Sequence, residues 1–488
     1  MLPDQSLPMP PQWRDLLEQA ACGVFARRST RRLFMALACG LILADRGTVT
    51  GMAAAAGIGH QWRRACWFFS AASWDAGELG LAVARLAVRY LLREGEPLTV
   101  AVDGTFFRRW GKQVFQARWA YDGAAQGGKK IAYGNTWVIL ALVVRLRFCP
   151  SPVALPVLFR LWRGKGTASQ PQLAAQMVKE LAQAFPGREV HGTGDAAFHG
   201  EPLVIEGTTW TTRLPANAVL HGLKPPPTGR RGRPRAKGDR IGTCADAAAA
   251  ADWREAVIRA YGEETTVQVA VRDALWYGSF KSAPGQLVLV REPGSGKPYD
   301  LGLFTLDTHV SAEAAAERYS WRWAIEPSNA AGKQLTGAGD ACSRVQKAVE
   351  RAVPFAFLIQ SLMITWYAIA GDPAAGVLDR RLRCPWYKTK VTPSPADMHA
   401  ALRGELTAAR ISGISPGRGC RIALHGPVST PNLRPEHAWM SGSGDRIMGG
   451  MCRIPDLTRP SAELCDSLGQ DSPPKNIPDA VTSEAAAA

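Results

Sequence analysis

Two short apolar runs in this chain each stop on an aspartate followed by small residues. Leu98-Thr-Val-Ala-Val102 runs into Asp103-Gly104, and the segment from Glu189 runs through Gly194 into Asp195-Ala196. Runs of this length and texture, bounded by turn residues, read as strands. Between them lie further apolar strands at Thr136 to Leu146 and Val153 to Leu161, then a helical stretch from Gln170 to Ala184. Strands mixed with helices in this way predict an α/β fold built on an open sheet. Carboxylates at strand ends of such a sheet converge on one edge, where ligands generally sit. Taken singly, each aspartate also reads as an ordinary turn or cap residue.

The flanks have a different texture. Residues 1 to 95 read as helical, with Thr30 a candidate N-cap for Arg31 to Ala44 and Asp75 a candidate cap for a segment carrying Leu79, Val83, Leu86 and Tyr90 at helical spacing. Ala53-x-x-x-Gly57 supplies the small residue and turn glycine of a helix-turn-helix, beside which an ordinary helical bundle stands as the alternative. Residues 264 to 306 return to β texture, with Thr265 to Val271 alternating and Gln286 to Val290 apolar. Val310 to Glu326 and Ser343 to Ala370 read as long helices. Beyond Gly371 the chain is increasingly broken by Pro and Gly, and its last thirty-odd residues read as disordered. The expected division is 1–95 helical, 96–205 sheet, 206–308 a β-rich segment, 309–370 helical and 371–488 a C-terminal region.

With 58 Lys and Arg against 42 Asp and Glu, the 488 residues carry a formal charge of +16, which favours a polyanionic partner and nucleic acid first. The ten cysteines include no C-x-x-C spacing, which argues against zinc fingers and a disulfide framework. No basic, apolar leader is evident, and Val353 to Ala370 is interrupted by Pro354 and Gln360, so it reads as a buried core helix rather than a membrane span. A cytoplasmic chain without membrane contact is expected. Lys224 to Gly238 is too rich in Pro, Gly and cations to pack and reads as an exposed loop. Its Gly232-Arg233-Pro234 centre, flanked by Arg231 and Arg235, fits an A·T minor groove; a solvated linker that touches phosphate without sequence preference is the alternative.

The remaining signal is the pattern Tyr319-x2-Arg322-x3-Glu326-x6-Lys333. At about 100° per residue, these four side chains fall within roughly 60° on one helix face. That face offers a carboxylate for a metal beside two cations and a phenol for phosphate oxygens. Asp103, Asp195 and Glu326 would then supply three hard oxygen donors from separate elements, suited to two Mg²⁺ or Mn²⁺ ions and in-line phosphoryl displacement. Pro327 opposes helical geometry at Glu326, so a kink that turns Lys333 off the face is also expected.

The Y-x2-R-x3-E-x6-K pattern, together with Val102-Asp103-Gly104-Thr105 and Gly194-Asp195-Ala196-Ala197-Phe198, resembles the DDE transposases of bacterial insertion sequences, in particular the Y-R-E-K group. The acids are separated by 92 and 131 residues, which resembles members carrying a β-rich insertion before the glutamate. The resemblance covers residues 97 to 370. It implies an RNase H-like mixed-sheet catalytic core with that insertion, two bound divalent ions, and strand cleavage followed by strand transfer. It also implies that Tyr319, Arg322 and Lys333 hold phosphates at the transposon end. By the same resemblance Trp276 is a candidate to stack on an extruded base, with core packing as the alternative. The implied protein is a transposase acting on double-stranded DNA as a homo-oligomer, a dimer when two ends are synapsed, in a bacterial cytoplasm and nucleoid-associated when bound. A structure-selective nuclease without strand joining, and a transposase-derived DNA-binding protein without catalysis, are the alternatives.

Overall fold

The computed structural model describes residues 8–123, 125, 130–226, 234–260 and 263–413, which fall in one compact unit, Met1–Met440; a second unit, Ser441–Ala488, lies outside them. The expected disorder of the last thirty-odd residues therefore falls outside the described residues.

The chain opens with five helices, α1 (Pro11–Ala21), α2 (Arg28–Leu43), α3 (Val49–Ala55), α4 (Trp62–Ser70) and α5 (Ala76–Leu91). Asp75 caps α5 as expected, its Oδ1 accepting from the amides of Gly77 and Glu78 at 2.7 and 3.0 Å. Thr30 does not cap α2. That helix begins two residues earlier, and Thr30 is buried within it.

Strands β1 (Leu98–Arg108), β2 (Arg118–Tyr121), β3 (Ile131–Val144) and β4 (Val153–Trp162) follow, then α6 (Gln170–Ala184) and β5 (Val190–Gly194). After β6 (Thr208–Arg213) come β7 (Leu220–His221), β8 (Arg240–Gly242), α7 (Cys244–Ala249), β9 (Arg254–Ala260), β10 (Glu263–Ala274), α8 (Tyr277–Phe280), β11 (Gly285–Arg291) and β12 (Leu301–Thr305). The chain then turns helical again with α9 (Ala312–Trp321), a 3-10 turn at Arg322–Ala324, α10 (Ile325–Gln334) and α11 (Gln346–Ala370), followed by α12 (Pro373–Arg383) and α13 (Pro395–Gly413).

The main sheet is mixed, in the order β2-β3-β1-β5-β6-β12-β11-β10-β9, with β4 also on β3. β1, β5 and β6 run parallel, whereas β3 is antiparallel to β1 and β4. The strands after β6 continue the same sheet, because β12 pairs antiparallel with β6. The fold class is thus mixed α/β.

Helix α11 forms the spine of the core. Among the described residues it is the one helix long and apolar enough to cross a membrane, and 83% of its most apolar window is buried inside the protein. Several of its polar side chains bond internally: Ser361 donates to the Pro156 carbonyl at 2.8 Å, and Gln360 donates to Ser328 at 3.0 Å. The N-terminal helices dock on it through Phe34 and Phe69, whose rings meet Phe355 edge-on at 6.1 and 5.2 Å. Arg351 donates to the carbonyls of Phe69 and Trp74. Beyond Gly371 the expected breakdown of structure does not begin at once, because α13 buries Met398, Leu402 and Leu406 completely.

Candidate active site

Asp103 does not end its strand. β1 continues to Arg108 because residues 103–108 stay paired with β3, Asp103 opposite Ile139 and Arg108 opposite Gly134. What ends there is the parallel neighbour: β5 stops at Gly194, in register with Val102. Asp103 and Asp195 therefore follow register partners on adjacent strands, about 4.8 Å apart across the sheet. The convergence expected of two strand ends is reached with one acid at mid-strand.

The turn carrying Asp195 is fixed by its own bonds. Its Oδ1 accepts from the Ala197 amide at 2.9 Å, and its carbonyl accepts from the Thr212 hydroxyl at 2.7 Å. Trp210, fully buried, donates its indole N–H to the Phe198 carbonyl at 2.9 Å. A Cβ on Gly194 would lie 2.6 Å from Phe198 and 2.8 Å from the Trp210 ring, so this close approach admits only glycine before the acid.

Helix α10 delivers the third acid. Ile325 seals its start against Ala101, Ala141, Val143 and Ala154, and Ala101 shares a strand face with Asp103. From the same helix Asn329 donates to Asp103 Oδ2 at 3.1 Å, while the Gly104 amide donates to Oδ1 at 2.8 Å. Asn329 is buried, and its Oδ1 finds no partner among the described residues. Its only sequence signal is the i,i+3 spacing from Glu326, which puts both on one helix face.

The Tyr-Arg-Glu-Lys segment is not one straight helix. The 3-10 turn at Arg322–Ala324 separates α9 from α10, and Pro327 becomes the third residue of α10, where a missing N–H costs nothing. Three residues at 120° instead of 100° add about 60° of rotation. Tyr319, Arg322 and Glu326 remain together: the Arg322 guanidinium sits 5.7 Å from the Tyr319 ring and donates to Glu326 Oε1 at 3.2 Å. The Lys333 ammonium instead donates to the Phe106 carbonyl at 3.2 Å and lies 5.0 Å from the Phe107 ring.

The charges are tightly coupled. Burial, with Asp195 and Glu326 nearby, pushes the Asp103 carboxyl up to about 6, against the opposing pull of Arg322 and the Gly104 amide. Burial also raises Glu326, with Arg322 opposing and Asp195 adding to the rise. For Arg322 burial works against the charge, yet Tyr319, Glu326, Asp103 and Asp195 together hold it above its ordinary value. Burial raises the Tyr319 phenol and lowers the Lys333 ammonium.

As the side chains stand, no group of three His, Cys, Asp or Glu among the described residues is arranged to hold a metal ion. Glu326 is turned to Arg322. The donor chemistry nonetheless suits a hard divalent cation: two adjacent carboxylates, a third on α10, and crowding of like charge that a cation would relieve.

Two other expected contacts sit elsewhere. Trp276 is only 6% exposed and packs on His199, Phe280 and Phe304 at ring separations of 4.6, 5.7 and 6.0 Å. Its ring belongs to the core and is not offered to a base, because the turn into α8 folds it back over β12. Of the basic loop, Arg231 and Arg233 lie outside the described residues, and Arg235 is exposed with its guanidinium 2.8 Å from Asp239.

A family model described as DDE superfamily endonuclease matches residues 21–283, just over half of the chain, a span that includes Asp103 and Asp195 and ends before Glu326. No curated protein matches. With two acids at adjoining positions of a mixed sheet inside the matched span, the chain belongs to the DDE superfamily endonucleases.

Proposed function

We propose that this protein is a DNA transposase of the Y-R-E-K type that cuts one strand at each transposon end and joins the freed 3′-hydroxyl to target DNA. The observation that carries the reading is the coupling of Asp103, Asp195, Glu326 and Arg322 at one point of the sheet. An RNase H-like core is supported by the parallel β1-β5-β6 set flanked by antiparallel β3 and β4.

Asp103, Asp195 and Glu326 would hold two Mg²⁺ or Mn²⁺ ions, which when bound supply Lewis acidity and offset charge on the scissile phosphate. Asn329 orients Asp103 through the bond to Oδ2 and the Gly104 amide fixes the other oxygen, so the carboxylate is set before DNA arrives. Arg322 switches partners, releasing Glu326 and turning its fork of donors to a phosphate. The Tyr319 phenol, raised by burial, stays protonated and serves as a donor and not as a nucleophile. Lys333, anchored on Phe106, acts on the fold more than on phosphate. The duplex is expected along the basic surface, and two copies of the chain would act together on paired ends.

The rival within the family is a structure-selective nuclease that cuts without joining. Incubation of the protein with Mg²⁺, a labelled duplex from the gene's flanking DNA and a supercoiled target plasmid separates the two. Label transferred into the plasmid supports the transposase; cut duplex without joined product supports the nuclease.

A further inference from the structure

The far end of β1 carries a surface that the acids do not use. Seven residues beyond Asp103, Trp110 stands 91% exposed, and strand β2 presents Trp119 and Tyr121, 67% and 65% exposed. Trp119 pairs with Tyr133, and Tyr121 with Ile131, so strand alternation puts these four on one face. The Trp119 and Tyr133 rings meet edge-on at 5.8 Å. Trp110, Trp119 and Tyr133 line one open groove with Arg108 and Lys112. Exposed aromatics gathered in this way mark an interaction site.

Charge decides the partner. Of the described cations between Arg108 and Tyr133, Arg109 is buried and donates to the carbonyls of Gly339 and Ala341, and Arg118 packs on Trp162; Arg108, Lys112 and Lys130 are exposed, whereas the one acid of the segment, Asp122, is buried. Arg108 contacts Asp122 at 2.6 Å and still keeps half its side chain in solvent. β2 is also an outer strand of the sheet, so a second copy of the chain is a conceivable occupant, but edge pairing would bring two like-charged faces together. A polyanion is complementary. Trp119 and Tyr121, two residues apart, are separated by about 6.8 Å along the strand, twice the 3.4 Å rise per nucleotide of a duplex strand. That spacing suits unstacked bases of an extended strand.

We propose that this groove binds unpaired nucleotides of DNA, with bases stacked on Trp110 and Trp119 and phosphates held by Lys112 and Arg108. The choice of DNA over another single-stranded nucleic acid rests on the transposase reading. By strand rise Arg108, where the groove begins, lies about 17 Å from Asp103, beyond the base next to a cut phosphate but within reach of a displaced segment of the same strand.

The test measures anisotropy of a labelled 20-nucleotide oligo-dT and of a 20-base-pair duplex with the full chain in EDTA, so that no cleavage is required. Trp110→Ala and Trp119→Ala should each weaken oligo-dT binding at least fivefold, and the double variant at least twentyfold, with duplex binding changed less than twofold and melting temperature unchanged. Unchanged oligo-dT affinity, or equal loss on both DNAs, overturns the proposal. So does light scattering that finds a wild-type dimer made monomeric by Trp119→Ala, which would give the groove to a second copy. A chain that shows the expected binding pattern yet never cuts duplex DNA would keep this proposal and remove the transposase reading; cutting without the pattern would do the reverse.

Discussion

Strand β1 changes character along its length. At its middle, Asp103 is crowded by burial and by two other carboxylates, and its carboxyl is pushed up to about 6. Two residues past its far end, Trp110 leaves almost its whole indole in water. The first region withdraws charge from solvent and the second holds apolar surface in it, and neither arrangement helps the folded chain on its own. Both would be relieved by the ligands proposed above, a cation for the carboxylates and a base for the ring. Such local costs are the physical mark of a working surface.

The two regions of β1 part most clearly at the acids. Asp103→Asn, Asp195→Asn and Glu326→Gln should each reduce divalent-ion-dependent cleavage at least 1000-fold, about 4 kcal/mol, as read by nicking of duplex DNA. Asp103→Asn should nevertheless raise the melting temperature in EDTA. The folded state binds the Asp103 proton more tightly than the unfolded chain, so stability falls as pH rises from 3.8 through about 6, and the deficit persists at neutral pH. Its size is on the order of 1–3 kcal/mol. The gain should vanish at pH 4, where wild type is protonated too.

Arg322→Ala separates charge balance from chemistry. Removing a guanidinium that Asp103, Asp195 and Glu326 all feel should tighten Mn²⁺ binding, measured by calorimetry, while lowering cleavage about 100-fold. Arg322→Lys should restore cleavage only in part, because an ammonium cannot make the forked contact. Asn329→Ala should cost about tenfold and move the acid limb of the pH–rate profile upward, since a lost donor to Oδ2 raises the Asp103 carboxyl further. A loss with an unmoved pH profile would give Asn329 a merely structural part. Lys333→Ala should do least to cleavage, under fivefold, and should instead lower the melting temperature by leaving the Phe106 carbonyl unpaired.

Much of this arrangement was legible in the residues themselves. The apolar runs gave β3, β4, β5, β10 and β11 to within a few residues, the segment from Gln170 to Ala184 is α6, and Asp75 caps α5. Asp195 and Glu326 lie near enough to Asp103 to raise its carboxyl, while Glu326 stays turned to Arg322. What sequence could not supply was partnership. Asp103-Gly104 carries a turn signal, yet β3 keeps pairing and the strand runs on to Arg108. Pro327 announced a break, but its relief by a 3-10 turn one turn earlier, and the resulting swing of Lys333 to Phe106, depend on how α10 docks. Trp276 gave no local sign of whether it faced DNA or the core; His199 and Phe304, distant in sequence, decide that. Gly332 belongs with these: a Cβ there would sit 2.1 Å from the Phe357 ring, a constraint visible only once α10 and α11 are packed.

The most direct test is nicking of a supercoiled plasmid bearing the gene's flanking DNA, by wild type and by the three acid variants, in Mg²⁺ and in EDTA, with the ends of the nicks mapped. A single site of Asp103, Asp195 and Glu326 predicts Mg²⁺-dependent nicks with 3′-hydroxyl ends that disappear in every variant. Nicking that survives in any one of them, or protein left covalently joined to DNA through Tyr319, would contradict it.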